Sequence, residues 1–417
     1  CPQTGAPSPG RLGLAALVDI ALCNNPSTAA AWAGVRSAAA AEGAARSSLA
    51  PVVGAGLSPT ASVTRSFLPG LPDRTDSELA ATARLSLDWL VFDGGARRAR
   101  ISAAEANRAA ALAAFADVAQ DIVLQVALSY DLLLAAAANL EAALAQTRFA
   151  EASAEAARAR EAAGVGLRSD TLQAETALGE ARLGMRRAEG EVLVRRGALA
   201  VSLGLSPTTL LDIAPPERAT DPARTRESAE ALIAEAERLR PDLQQRSAAL
   251  AAASAQANAA RADRRPTVLL GLGPSAVLRN EGPDAISGSV GLTLSVPILD
   301  VRSRYLVAQA DSEAARAEAI LEQTRQSAGL DVWTAFQDLE TEAQSLGTAR
   351  LLLASADEAA RLAQGRYQAG VGTITELLNA QSALASARRS LVAAEFGLRS
   401  ARVRLARAVG NVGAAIP

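Results

Sequence analysis

Residues 79–100 read LAATARLSLDWLVFDGGARRAR. From Leu79 to Val91 the odd positions, Leu79, Ala81, Ala83, Leu85, Leu87, Trp89 and Val91, are apolar, while Thr82, Arg84, Ser86 and Asp88 stand between them. A period of two describes a strand with one apolar and one polar face; an amphipathic helix would repeat every 3.6 residues. Asp93-Gly94-Gly95 ends the pattern, and the alanine-rich stretch that follows, about 94–162, contains no proline. It reads as a single helix, roughly 100 Å long at 1.5 Å per residue. A strand running into so long a helix is unusual, and the chain writes it twice.

Leu85-Ser-Leu-Asp-Trp-Leu-Val-Phe-Asp93 is answered by Leu292-Thr-Leu-Ser-Val-Pro-Ile-Leu-Asp300. Pro26, Pro51 and Pro59 recur as Pro241, Pro266 and Pro274, and the phrase AGVGLRSDTLQAE at 163–175 recurs as AGVGTITELLNAQ at 369–381. A period of half the chain is an internal duplication. The reading divides the chain into a tether at 1–10, a first repeat at 11–205, a linking equatorial segment at 206–226, a second repeat at 227–410 and a tail at 411–417. Each repeat holds a helix pair (about 11–24 and 26–49; 227–239 and 241–264) and two strands (about 52–66 and 78–92; 267–279 and 286–297). A long outgoing helix (94–162; 301–367) follows, then a glycine tip (163–170; 369–376) and a return helix. The strand turns fall at 67–77 and 279–286.

The second return helix carries Leu377, Leu384, Leu391, Leu398 and Leu405 every seventh residue, with Ala380, Ala387, Ala394 and Ala401 three positions on. Leucine at one seam position and alanine at the other describe a narrow antiparallel coiled coil. An ordinary bundle core would also give the heptads, but not the strands set between them.

Composition excludes whole classes of function. The chain has no histidine, so histidine acid–base catalysis and histidine metal sites are absent. Its 42 basic and 44 acidic residues nearly cancel, unlike a nucleic-acid binder. Cys1 and Cys23 have no redox or metal spacing, and Cys23 reads as a small buried side chain. No nucleophile–base pair can be assembled, so neither an enzyme nor a cofactor is expected. The best helical candidate for a membrane span, 122–140, is broken by Gln125, Asp131 and Asn139. Strands of about 14 residues suit a membrane barrel. Four of them cannot close one, and open edges are not tolerated in lipid, so several copies must share it. The cysteine at position 1 is what lipoprotein processing leaves, so lipidation of Cys1 is expected.

This order of elements, with DWLVFDGGARRAR at 88–100 and RYQAGVGTITELLNAQSALASAR at 366–388, resembles the TolC-type outer-membrane factors over nearly the whole chain. The resemblance implies an α+β membrane protein: a homotrimer pooling twelve strands into an outer-membrane β-barrel, continued by a helical tunnel across the periplasm. Its partners would be outer-membrane lipid, a periplasmic adaptor and an inner-membrane RND or ABC transporter. Gly164, Val165, Gly166 and Leu167, with Gly370, Val371, Gly372 and Thr373, would form the adaptor-docking tips; the family's Val-Gly-Leu motif is matched in the first copy only. Asp170 and Glu376 would ring the aperture, with Asn379 where a further acid is usual, and Tyr367 would help hold the tip shut. Equally, both carboxylates suit a helix N-terminus. Arg97, Arg98, Arg100, Arg302 and Arg304 follow the strand ends, as a solvated helix face or an interfacial anchor. The implied function is an exit duct for tripartite efflux. The Cys-Asn-Asn-Pro stretch at 23–26 resembles the branch serving type I secretion of toxins, and a coiled-coil scaffold is the reading outside this class.

Overall fold

The computed structural model describes residues 11–67, 70, 72, 74–214, 228–281 and 283–415. Cys1, its tether and most of the linking segment lie outside the described residues. The elements run α1 (Leu14–Asn24), α2 (Pro26–Ser47), β1 (Val52–Ser66), β2 (Arg74–Phe92), α3 (Ala96–Ala162) and α4 (Arg168–Ser202). The same order returns as α5 (Ala229–Leu239), α6 (Pro241–Ala262), β3 (Thr267–Arg279), β4 (Ala285–Ser295), α7 (Val301–Gln368) and α8 (Ile374–Val409), with a final 3-10 turn. Pro26 and Pro241 stand at the first helical position, where a missing N–H costs nothing. Residues 33–112 and 244–322 form one compact unit; those up to 32, 113–243 and from 323 onward form another.

The first unit contains a four-stranded antiparallel sheet in the order β1-β2-β3-β4. Its register aligns side chains of one kind into rows. Val53, Leu87, Leu272 and Val290 lie side by side across all four strands, as do Leu57, Ala83, Ala276 and Ile286. Between them runs a row of Gly56, Arg84, Ser275 and Ser287. One face is therefore continuously apolar, and it is open: Leu57 is 72% exposed and Ile286 90%. The strand boundaries differ from the sequence reading in β2 and β4. β2 begins at Arg74, not near 78, because Arg74–Ser77 pair with Ser66–Val63 and shorten the turn. β4 stops at Ser295, short of 297, since Pro297 has no N–H to offer the ladder.

Asp93 locks the step from β2 into α3. One carboxylate oxygen accepts from the Gly95 N–H at 3.1 Å, and the other from the N–H of Arg97 at 2.7 Å and its Nε at 2.9 Å. Arg97 continues to the carbonyl of Ser48. Expected on an exposed or interfacial face, Arg97 is instead buried at 8% exposure, because it ties the turn to the end of α2. Arg100 pairs with Asp263 at 2.6 Å, while Arg98, Arg302 and Arg304 are exposed.

In the other unit the duplicated cores are near copies. Leu17, Val18 and Ala21 of α1 pack with Ile122, Val126, Tyr130 and Leu133 of α3 and Leu199 of α4. Leu232 and Ala236 of α5 pack with Val332 and Ala335 of α7 and Val409 of α8. On α8, Leu377, Leu384, Ala387, Ala394 and Ala401 of the heptad seam are buried. By length and composition α3 does hold an apolar window fit to cross a bilayer, against the sequence expectation that no helix would. Ile122, Val126, Tyr130 and Leu133 of α3 belong to this core, while Leu132 and Leu144 stay exposed. Tyr130 donates to the Ala214 carbonyl at 2.9 Å, and buried Asp131 pairs with Arg399 at 2.8 Å. Cys23 is half-buried rather than buried, and it is not a free thiol.

The candidate docking tips and aperture

Each outgoing helix ends in the same two-bond cap. At the first tip the Gly164 N–H bonds to the carbonyl of Glu161 at 2.9 Å, and that of Val165 to the carbonyl of Arg160 at 3.0 Å. At the second, Gly370 bonds to Tyr367 at 3.1 Å and Val371 to Arg366 at 3.0 Å. This pairing of a six-to-one with a five-to-two bond requires a left-handed residue after the helix. Gly164 and Gly370 supply it, with φ of 75° and 76°.

The second glycine of each phrase does different work. A Cβ on Gly166 would stand 2.9 Å from the Cβ of Arg160 and 3.0 Å from its carbonyl carbon. One on Gly372 would stand 3.0 Å from the Cβ of Arg366 and 3.1 Å from its carbonyl carbon. The reversed chain is thus folded flat onto the last turn of the helix it has left. The phrase AGVG needs its first glycine for handedness and its second for contact distance.

The turn leaves apolar side chains in solvent: Val165 is 68% exposed, Leu167 67% and Val371 70%. The copies part at the next helix. Thr373 caps α8, its side chain accepting from the Glu376 N–H at 3.2 Å, whereas Leu167 caps α4 with no side-chain bond. Asp170 and Glu376 both fall in the first turn, where a negative charge meets the positive end of the helix dipole. Asp170 is half-buried and Glu376 exposed, and Glu376 has Arg366 at 4.0 Å. So wide and solvated a pair contributes little.

Tyr367 is 5% exposed, in a cluster with Ala150, Ala154 and Ala157 of α3, Ala174 and Leu178 of α4, and Ile374 and Leu377 of α8. Arg160 of the first tip covers it, its guanidinium carbon 5.2 Å from the ring centroid. The same guanidinium donates to the Tyr367 carbonyl at 3.0 Å. Burial pushes the Tyr367 hydroxyl above its usual range; Arg160 pulls against this, and Asp170 adds to it. Sequence reasoning had no partner for Tyr367 and missed Arg160. The available signal was that an arginine stands four residues before the first tip glycine in both copies, at 160 and 366.

Thr375 of α8 donates to Gln173 of α4 at 3.3 Å, and Gln381 to Ser153 of α3 at 3.0 Å. The two hairpins are therefore joined near their tips by an arginine–tyrosine contact and polar side chains.

Comparison with known proteins places this geometry. A family model described as "Outer membrane efflux protein" matches residues 17–205 and 232–411. Protein CyaE of Bordetella pertussis is 34% identical over 410 residues, covering 96% of this chain and 85% of that protein. The pyoverdine export outer membrane protein OpmQ of Pseudomonas aeruginosa is 32% identical over 223 residues, 51% of this chain and 45% of its own length. Among solved structures, the outer-membrane channel OprN has a TM-score of 0.85 at 24% identity, covering 95% of this chain and 90% of that one. The outer membrane protein VceC from Vibrio cholerae has a TM-score of 0.82 at 22% identity, covering 95% and 96%.

Proposed function

The chain belongs to the outer membrane efflux protein family and is an exit duct of the outer membrane, and from that premise we propose how it is assembled and coupled. Three copies pool their sheets into one barrel, with the apolar rows of Val53, Leu87, Leu272 and Val290 toward lipid and the rows of Gly56, Arg84, Ser275 and Ser287 toward the lumen. The observation that carries this is the open apolar face on a sheet with two unpaired edges, which lipid does not tolerate in a single chain. The glycine tips dock a periplasmic adaptor through Val165, Leu167 and Val371. An inner-membrane pump supplies the energy, and the duct conducts passively. Asp170 and Glu376 lend the aperture negative charge, and Tyr367 keeps the second hairpin against the first.

Light scattering of detergent-solubilised protein is the direct test, with a trimer as the expected species; a monomer in mild detergent would overturn the shared barrel. Bilayer recordings then test conduction. A second reading, export of a protein through an ABC transporter, is favoured by the Cys-Asn-Asn-Pro stretch at 23–26. Likeness to a pyoverdine export protein favours small-molecule export, but over half of the chain. Deleting the gene and assaying both a secreted protein and small-molecule tolerance separates the two.

A further inference from the structure

The long helices of the two halves are in strict register, residue for residue. Val126 and its counterpart Val332 are both fully buried, and Leu133 and Leu339 are 5% and 6% exposed. At the neighbouring position the register holds but burial does not. Ala127 is 1% exposed, whereas its counterpart Trp333 is 48% exposed. The difference has a plain cause. Ala127 is covered by Val403 and Val412 from the second half, with Val123 and Leu124 alongside. Among the described residues, no further half of the chain covers Trp333.

Carrying that contact through the duplication identifies the missing surface. The position of Val403 becomes Gly197, that of Val123 becomes Gly329, and that of Leu124 becomes Leu330. The seam inside the chain sets one small residue, Ala127, against larger apolar ones; the equivalent outer seam sets one large residue, Trp333, where Gly197 and Ser206 replace Val403 and Val412. The bulk has moved onto a single side chain, as close packing across a second, differently built seam demands. Both of its sides stand open and apolar. Leu330 is 64% exposed beside Trp333, and Val194 and Val201, flanking Gly197, are 64% and 55% exposed. Gly197 itself lies under Pro207, whose Cβ would be 3.6 Å from an added Cβ.

We propose that Trp333 of one copy seats on the Gly197–Pro207 surface of the next, as the anchor of the seam between chains. The occupant is a second copy because the template is the chain's own inner seam: halves alternating around a closed ring bring each second half against a following first half. A tryptophan against a glycine and a proline is the kind of anchor that dominates an interface. This rests on the multi-chain duct proposed above, and the test separates the two.

Replacing Trp333 by photoreactive benzoylphenylalanine in the full chain, purified in mild detergent, gives the readout. The expected product after irradiation is a species of twice the chain mass, whose linked peptide contains residues from 194–207. A trimer by light scattering whose links fall elsewhere, within one chain, or on detergent alone overturns this seat and leaves the duct standing. A monomer overturns both. Gly197→Leu supplies the independent arm: it fills the seat, so the trimer should dissociate at a lower temperature while helix content is unchanged. An unaltered dissociation temperature counts against the proposal.

Discussion

Arg160 holds Tyr367 from two directions, over the ring at 5.2 Å and at its carbonyl at 3.0 Å. That carbonyl also accepts the capping bond of Gly370, so a residue of the first tip fastens the turn of the second. Neither contact uses the phenolic hydroxyl. Tyr367→Phe should therefore leave closed-state conductance unchanged, while Arg160→Ala should raise it. The lost cation–π and charged hydrogen bond amount to about 1–2 kcal/mol at a half-exposed site. Single-channel recording of the two variants decides it; equal conductance in wild type and Arg160→Ala removes Arg160 from the closing device.

The paired glycines should fail in different ways. Gly164→Ala and Gly370→Ala force a side chain into the left-handed region, a strain of roughly 1–2 kcal/mol. Gly166→Ala and Gly372→Ala meet the helix at 2.9 and 3.0 Å, so the turn must lift. Export and adaptor cross-linking should fall with all four and fall furthest with the second pair, while trimer content in the outer membrane stays constant. Normal export by Gly166→Ala together with Gly372→Ala would show that tip shape is not read.

The caps offer a reciprocal exchange. Thr373→Ala removes the bond to the Glu376 N–H and should destabilise the start of α8 by about 1 kcal/mol. Leu167→Thr should gain a comparable bond at the start of α4 yet lose an exposed apolar contact. Hydrogen exchange at the first turn of each helix reads the cap, and adaptor affinity reads the side chain. The prediction is opposite signs for Leu167→Thr in the two assays.

Burial lifts the Asp131 carboxyl to about 6, against the pull of Arg399. With the folded value above the unfolded one, this group's contribution is full below about pH 4 and is lost as pH rises through 6. A shift of this size corresponds to something on the order of 2–3 kcal/mol. Asp131→Asn should flatten that part of the stability profile, and Arg399→Ala should steepen it by leaving the charge unpaired. Melting temperatures at half-unit steps from pH 4 to 8 test both; parallel profiles for all three proteins would contradict the assignment.

Much of the fold could be read because its signals are local. Alternation at 79–91 marks a strand, and leucines seven apart mark a coiled-coil seam, whatever packs against them. Arg74–Ser77 escaped because a polar stretch shows no alternation, and only pairing with β1 makes it strand. Asp131 looked like a break in an apolar run, yet it is buried, since its partner Arg399 is 268 residues away. At the tips the glycines were legible as a turn, but their separate duties were not: one depends on φ, the other on the distance to a helix already passed. Arg160 and Tyr367 lie on different hairpins, so no spacing along the chain announces their contact.

The two tips share one backbone shape but differ at the residue that opens the following helix, Leu167 in one and Thr373 in the other. That difference bears on stoichiometry. Around a ring of three chains, a partner that recognises only the folded main chain finds six equal berths. One that requires the methyl groups of Leu167 finds three, at every second place. Partner count then follows from a single side chain: Thr373→Leu should turn a three-berth partner into a six-berth one, with no change in the duct itself.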